Sequence, residues 1–201
     1  MIRILIFYLY FINLGNTIQT SQEKLIFDII HRNKVIGILE ATKINNNAKT
    51  YYKSSTTINT RIIKDIEVNY KYDVTFNTNF LTSSNVSITV NEKLHTKTVT
   101  KWNKNSYQVI KNRNKENSIK DTITYSTIQL YFKEPRNISK CFSEQNGKFN
   151  SIIAMGNHIY KKVNPKGNQN LYYYENGLLK KADINGGLIH FKIIKKQTIK
   201  P

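Results

Sequence analysis

The sequence predicts an all-β fold: a single-domain antiparallel meander forming a curved sheet or open barrel. Apolar residues recur at every second position, short Asn-, Gly- and Lys-rich turns separate those stretches, and no long segment carries apolar residues at helical spacing. In the clearest stretch Ile66, Val68, Tyr70, Tyr72, Val74 and Phe76 alternate with polar residues. Successive strand side chains point to opposite faces, so these six line one face and leave the other in water. After a turn at 77–79 the alternation resumes as Phe80, Thr82, Ser84, Val86, Ile88 and Val90, which predicts one shared face for all six and a long hairpin.

Weaker versions of the same pattern fill most of the chain. Segments 25–31 and 35–42 flank the polar turn Arg32-Asn33-Lys34, and 51–63 is rich in Thr and Ile, which suit a half-buried pleated surface. Segments 96–102 and 106–111 flank Asn103-Lys104-Asn105. Near the end, 170–174 and 178–184 flank Asn176-Gly177, a strong hairpin signal, and 188–195 reads as the last strand. Between 121 and 132 the spacing suits a short helix and an irregular strand equally, so at most one short helix is expected, near residues 122–132, ended by Pro135. Residues 134–149 read as a long loop packed across one end of the sheet.

The N-terminus predicts export. Arg3 precedes the uninterrupted apolar run from Ile4 to Ile12, and a polar stretch through Gln22 follows, which is the layout of a secretory signal peptide over residues 1–20. That run is too short to span a bilayer as a helix. Cleavage after Gly15 or Thr20 leaves a single β-rich domain, 22–201, with no transmembrane span. The one cysteine, Cys141, lies far from the apolar run, so lipid attachment is not expected and the protein reads as periplasmic or secreted. A single cysteine also excludes an intrachain disulfide framework, and the aromatic content, 13 Tyr and 9 Phe, excludes a disordered basic tail.

Lys and Arg number 31 against 13 Asp and Glu, a formal net charge of +18. Such a surface condenses onto phosphate backbones, yet export separates it from nucleic acid, so no nucleic-acid partner is expected. Eight basic residues against one acidic lie in 93–120, and nine against two in 151–201. Lys93, Lys97 and Lys101 share a strand face with His95, and Lys192 and Lys196 share one with His190. These five lysines are the candidate contacts to an anionic envelope surface such as lipid headgroups or acidic polysaccharide. On the opposite face of the same strand, Thr98, Thr100 and Trp102 would line a half-polar concavity. Tyr173, within the run Tyr172-Tyr173-Tyr174, is a candidate stacking residue for the same ligand.

Catalytic signals are weak. Cys141 has no His near it in sequence, and His31, His95, His158 and His190 never fall at metal-ligand spacing. Asp121, Glu134, Glu144 and Asp183 could supply an acid/base pair only through their separation in space. Gly186-Gly187 and Lys166-Gly167 read as turns, not phosphate loops. No catalytic residue, metal or cofactor is assigned.

Three stretches, Ile123-Thr124-Tyr125-Ser126-Thr127, Leu130-Tyr131-Phe132-Lys133-Glu134-Pro135 and Phe142-Ser143-Glu144-Gln145-Asn146-Gly147-Lys148-Phe149, carry a resemblance. Together with Gly156-Asn157-His158-Ile159-Tyr160 and Tyr172-Tyr173-Tyr174-Glu175-Asn176-Gly177, the chain resembles an uncharacterised family of exported Gram-negative bacterial proteins, a domain of unknown function. The resemblance implies an all-β periplasmic or envelope protein, distantly similar to curved-sheet lipid-carrier folds, and supplies no catalytic residues. The expectation is a non-enzymatic envelope protein that binds an apolar or amphiphilic ligand (a lipid or glycolipid) or docks on an anionic surface. The alternative is a hydrolase with a loop-borne site near residues 134–158.

Overall fold

The computed structural model describes residues 20–61, 65–185 and 190–196. The strands are β1 (Thr20–His31), β2 (Lys34–Asn46), β3 (Lys49–Arg61), β4 (Asp65–Asn77), β5 (Phe80–Val90), β6 (Lys93–Asn103) and β7 (Ser106–Lys111). They continue as β8 (Asn114–Lys115), β9 (Lys140–Ser143), β10 (Lys148–Gly156), β11 (Ile159–Val163), β12 (Gln169–Glu175), β13 (Leu178–Asn185) and β14 (His190–Lys195). All belong to one 14-stranded antiparallel sheet in which β8 to β1 run in reverse sequence order and β1 then pairs with β14, followed by β13 down to β9. The expected signal segment, 1–20, lies outside the described residues except for Thr20, the first residue of β1. So do 62–63 of the expected third strand and 188–189 of the expected last one.

Tight turns set this register. Arg32-Asn33, Asn91-Glu92, Asn112-Arg113, Asn157-His158 and Asn176-Gly177 each hold two consecutive residues at positive φ. That backbone matches the twist of the flanking strands, and Asn adopts it at little cost. The inner face carries Leu25, Phe27 and Ile29 on β1, Leu39 and Ala41 on β2, and Val74 and Phe76 on β4, all buried. A bulge corrects the face expected for β5: Val74 pairs with Ser84 but Phe76 pairs with Leu81, so one extra residue stands between them. Leu81 is therefore the fully buried side chain, while Phe80 and Thr82 are only partly covered.

The chain between the edge strands β8 and β9 closes one end of the barrel. It pairs Ile119 with Tyr107, and the Leu81 amide donates to the Ile123 carbonyl at 2.9 Å. The Phe142 amide donates to the Tyr125 carbonyl at 2.9 Å, and the Glu134 amide to the Gly177 carbonyl at 3.0 Å. Its one helical element is a 3-10 turn, Thr127–Tyr131, inside the expected 122–132 window. Tyr125, Ile128, Leu130 and Phe132 are buried against the sheet, with Tyr131 packed on Phe27 and Phe132 on Tyr52 at ring-centroid distances of 5.7 and 5.6 Å. The hydroxyl of Tyr174 donates to the Leu130 carbonyl at 2.9 Å.

Residues 134–149, expected as one crossing loop, instead contain β9 and the start of β10; only 134–139 belong to the crossing segment, which begins upstream at 116. What remains loop-like is the β9–β10 turn, which folds inward at the other end of the barrel, where Thr98 Oγ1 donates to the Gln145 carbonyl at 2.8 Å. Gly147 has φ +64°, and a Cβ there would lie 2.5 Å from Val109 Cγ1. Gly147→Ala should therefore lower stability by about 1–3 kcal/mol in urea unfolding, through strain and overpacking. Val109→Ala in the same chain should recover part of that loss, and a simple sum of the two single effects would contradict this contact.

Candidate functional site

The end opposite the crossing segment is open. Antiparallel pairing brings the turns at 32–33, 91–92, 112–113, 144–147 and 164–168 to that end. Beneath them lies a cavity of about 330 Å³. Ile29, Ile58, Ile184, Phe191 and Ile193 form an apolar wall on β1, β3, β13 and β14. Ser143, Gln145, Asn146, Asn150, Lys162 and Asn164 form a polar wall on β9, β10 and β11 and the turns that flank them. Tyr70, Tyr72, Tyr131 and Tyr172, with Thr56, Thr127, Asn168, Asn170 and Asn185, complete the lining, which contains no Asp or Glu among the described residues. At the rim a wider depression of about 620 Å³ shares Asn168, Ile184, Asn185 and Phe191 with the cavity and adds Arg32, His190 and Lys192. An apolar wall facing convergent polar groups is the usual make-up of a small-molecule site.

Burial raises the pKa of Tyr70, Tyr72 and Tyr131 above the ordinary tyrosine value, so their hydroxyls stay neutral and can donate or accept. Lys162 points into the same space on β11. Burial works against its charge, but Tyr172, Cys141 and Glu144 outweigh that and hold its pKa above the usual lysine range. Its Nζ lies 5.6 Å from the centroid of the Tyr172 ring. Glu144 is fully buried, and its two oxygens accept the Thr127 and Ile128 amides, each at 3.1 Å, at the start of the 3-10 turn. Burial raises the Glu144 pKa, with its own amide, the Ile128 amide, the Ser126 side chain and the charge of Lys162 opposing.

The residues chosen from sequence fall elsewhere. Thr98 and Thr100 are fully buried, Thr98 beneath the Gln145 carbonyl. Trp102 packs between Phe80 and Tyr107 at centroid distances of 6.0 and 4.7 Å. Tyr173 lies on the outer face under Lys181, 4.5 Å from Nζ to ring centroid, whereas its neighbours Tyr172 and Tyr174 are buried inside. Lys93, Lys97 and Lys101 are exposed on the convex face, Lys192 is at the cavity rim, and Lys196 pairs with Asp28 at 3.0 Å. Sequence reasoning missed Lys162, although Tyr160, Lys162 and Asn164 share one parity on a strand whose turn signals were visible.

The 134–158 region does gather titratable groups. Glu134, buried, accepts hydrogen bonds from Arg136 Nε at 2.9 Å, Tyr160 Oη at 2.8 Å and His158 Nδ1 at 2.8 Å. No serine, threonine or cysteine side chain joins this group among the described residues. Cys141 is fully buried beside Thr127, and burial pushes its thiol up to about 12, so it is not a thiolate at neutral pH. No cluster of three or more His, Cys, Asp or Glu side chains among the described residues could hold a metal ion.

Glu134 instead ties the crossing segment to the turns at 157–158 and 176–177. Burial would raise its pKa, but the bonds from His158, Tyr160 and Arg136 win and hold it below the ordinary carboxylate value. A folded pKa below the unfolded one stabilises the fold above about pH 4 and loses that contribution as pH falls through the folded value. Glu134→Ala should cost about 2–4 kcal/mol in urea unfolding at pH 7, because it strands the buried Tyr160 hydroxyl. At pH 3 the difference from the unaltered protein should shrink, and an equal cost at both pH values would contradict a charge-based latch.

The fold and interior can now be compared with known proteins. No curated protein matches the chain by sequence. A crystal structure of a beta-barrel-like protein of domain of unknown function DUF1849 from Brucella abortus is similar at a TM-score of 0.52 and 10% identity, covering 90% of this chain and 98% of that one. At that identity the likeness concerns the fold alone. The model of a domain of unknown function, DUF6134, matches residues 27–196, from the first buried strand to the end of the last, and the chain belongs to that family.

Proposed function

We propose that this is a non-enzymatic, exported cell-envelope protein whose open barrel holds an apolar or amphiphilic ligand, with a lipid or glycolipid as the class of occupant. The observation that carries the reading is the cavity itself: one end of the barrel is filled by the crossing segment, and the other keeps a space with one apolar and one polar wall. A barrel serving only as a scaffold gains nothing from leaving that volume unfilled, since each void forfeits packing energy.

Export rests on the N-terminal pattern of Arg3 followed by the apolar run 4–12. Both candidate cuts, after Gly15 and after Thr20, lie upstream of Leu25, the first buried residue among the described ones, so either keeps the described core whole. The non-enzymatic reading draws on the saturated hydrogen bonding of Glu134 and the protonated, enclosed thiol of Cys141. Among the described residues no helix is long and apolar enough to cross a membrane.

The test is native mass spectrometry of the mature protein purified from its own envelope fraction. A co-purifying amphiphile and a mature N-terminus between residues 16 and 21 are expected from the two candidate cuts. A bare protein that also ignores added lipid would end the carrier reading, and an intact Met1 in the cytoplasmic fraction would end the export reading.

A further inference from the structure

Resting on the ligand-holding reading above, we infer that the occupant is an anionic amphiphile, its oxyanion head group held by Lys162 and its hydrocarbon laid on Ile29, Ile58 and Ile193. Among the described residues, Lys162 is the only ionisable cation lining the inner cavity, and no Asp or Glu lines it. Among the described residues no carboxylate lies within ion-pair distance of its Nζ. The nearest acidic influence, Glu144, already spends both oxygens on the Thr127 and Ile128 amides. Tyr172 lies beside the ammonium, and the ammonium's remaining N–H donors have no carboxylate partner among the described residues. A bound carboxylate or phosphate supplies the missing partner.

A second observation points to the same wall. Asn150 on β10 is 5% exposed, lines the cavity, and its Oδ1 has no hydrogen-bond partner. Its inward parity is that of Ile152, which pairs with Lys162, so the open acceptor and the ammonium are neighbours on the sheet. A head group with a hydroxyl next to its oxyanion satisfies both. The Tyr72, Tyr131 and Tyr172 hydroxyls stand around the same space and can donate to further oxygens. The route inward has the matching sign. Arg32, His190 and Lys192 edge the rim, and its one carboxylate, Asp183, is paired with Lys181 at 3.0 Å.

The apolar wall selects an amphiphile over a free anion. Ile29 and Ile193 are paired across β1 and β14 and Ile58 lies on β3 beyond Gly37, so the three form a continuous patch facing Lys162 across the cavity. Burying hydrocarbon there adds affinity that inorganic phosphate cannot gain.

Isothermal titration of the mature protein with dodecanoate, dodecyl phosphate, monododecanoylglycerol, dodecyltrimethylammonium and inorganic phosphate tests the inference. The two dodecyl oxyanions should bind roughly ten- to a hundredfold more tightly than the neutral glyceride and the cationic chain, and inorganic phosphate should not bind measurably. Lys162→Met should bring the oxyanion affinities down toward that of the glyceride, and Lys162→Arg should keep the preference. Circular dichroism of both variants should match that of the unaltered protein; should Lys162→Met not fold, the ligand series on the unaltered protein and on Lys162→Arg decides the inference. Equal binding of anionic and neutral chains by the unaltered protein, or a preference that survives Lys162→Met, would overturn the anionic assignment and leave the carrier reading standing. Phosphate binding as tight as dodecyl phosphate would overturn the amphiphile part. If none of the chains binds, the carrier reading fails and this inference falls with it.

Discussion

Fourteen antiparallel strands joined almost entirely by short hairpins leave two sheet edges, β8 and β9, and the chain between them is the constraint on which the rest depends. An unpaired edge exposes backbone amides and carbonyls that must find partners. Here both edges are short, two and four residues, and one segment serves them both. It pairs with Tyr107 next to one edge and with Phe142 on the other, then turns inside, where its Tyr125, Ile128, Leu130 and Phe132 fill the end of the barrel. Completing the sheet and filling one end are therefore the same event. Among the described residues no second segment of that kind crosses the other end, where the cavity lies.

That division sets up two interiors with different chemistry. Near the crossing segment the packing is aromatic and dry, with Tyr52, Phe76 and Phe132 in contact. Toward the open end the inward positions become Thr56, Asn150, Lys162 and Asn170. Two buried glutamates join the zones and titrate in opposite senses. Glu134 is held ionised by three donors, so it favours the fold above its unfolded pKa. Glu144 has a raised pKa, so its contribution is greatest at low pH and fades as pH rises through the folded value. Near neutral pH the first supports the latch while the second is a cost borne to order the start of the 3-10 turn beside the cavity.

Much of the architecture was legible because strand alternation is a local property. The run from Ile66 to Phe76 states its own face, and Asn176-Gly177 states its own turn. The single helical element fell inside the window marked by the mixed spacing of 121–132. What escaped reading was set by events between strands. The bulge that exchanges Phe80 for Leu81 adds one residue to β5 opposite β4, and the local sequence Phe-Leu-Thr-Ser has no marker for it. Residues 140–163 form three strands, but their alternation is broken by Asn157-His158 and by the mixed Phe142-Phe149 side, so the sequence reads 134–149 as a loop and marks no element in 150–163. In the run of three tyrosines parity was visible but its sign was not, since it depends on which side the crossing segment fills. Trp102, Thr98 and Thr100 did face inward, and the β9–β10 turn covers the first threonine, a contact 47 residues apart in sequence that no local pattern encodes.

The same difficulty applies to charge. With a net +18, nearly every segment offers lysines, and a sequence gives no reason to rank one above another. Position ranks them. Lys93, Lys97 and Lys101 stand in bulk water on the convex face, where the high dielectric weakens each interaction and salt screens it beyond about 8–10 Å. Lys196 is already matched by Asp28 and Lys181 by Asp183. Lys162 differs in both respects. It is half-buried among tyrosines and asparagines and without a direct carboxylate partner among the described residues. One ammonium in that setting exerts a stronger pull on an entering anion than several exposed ones, because less water competes for it. In the proposed carrier, the excess of surface lysines raises the local concentration of anions near the molecule, and Lys162 decides which of them stays.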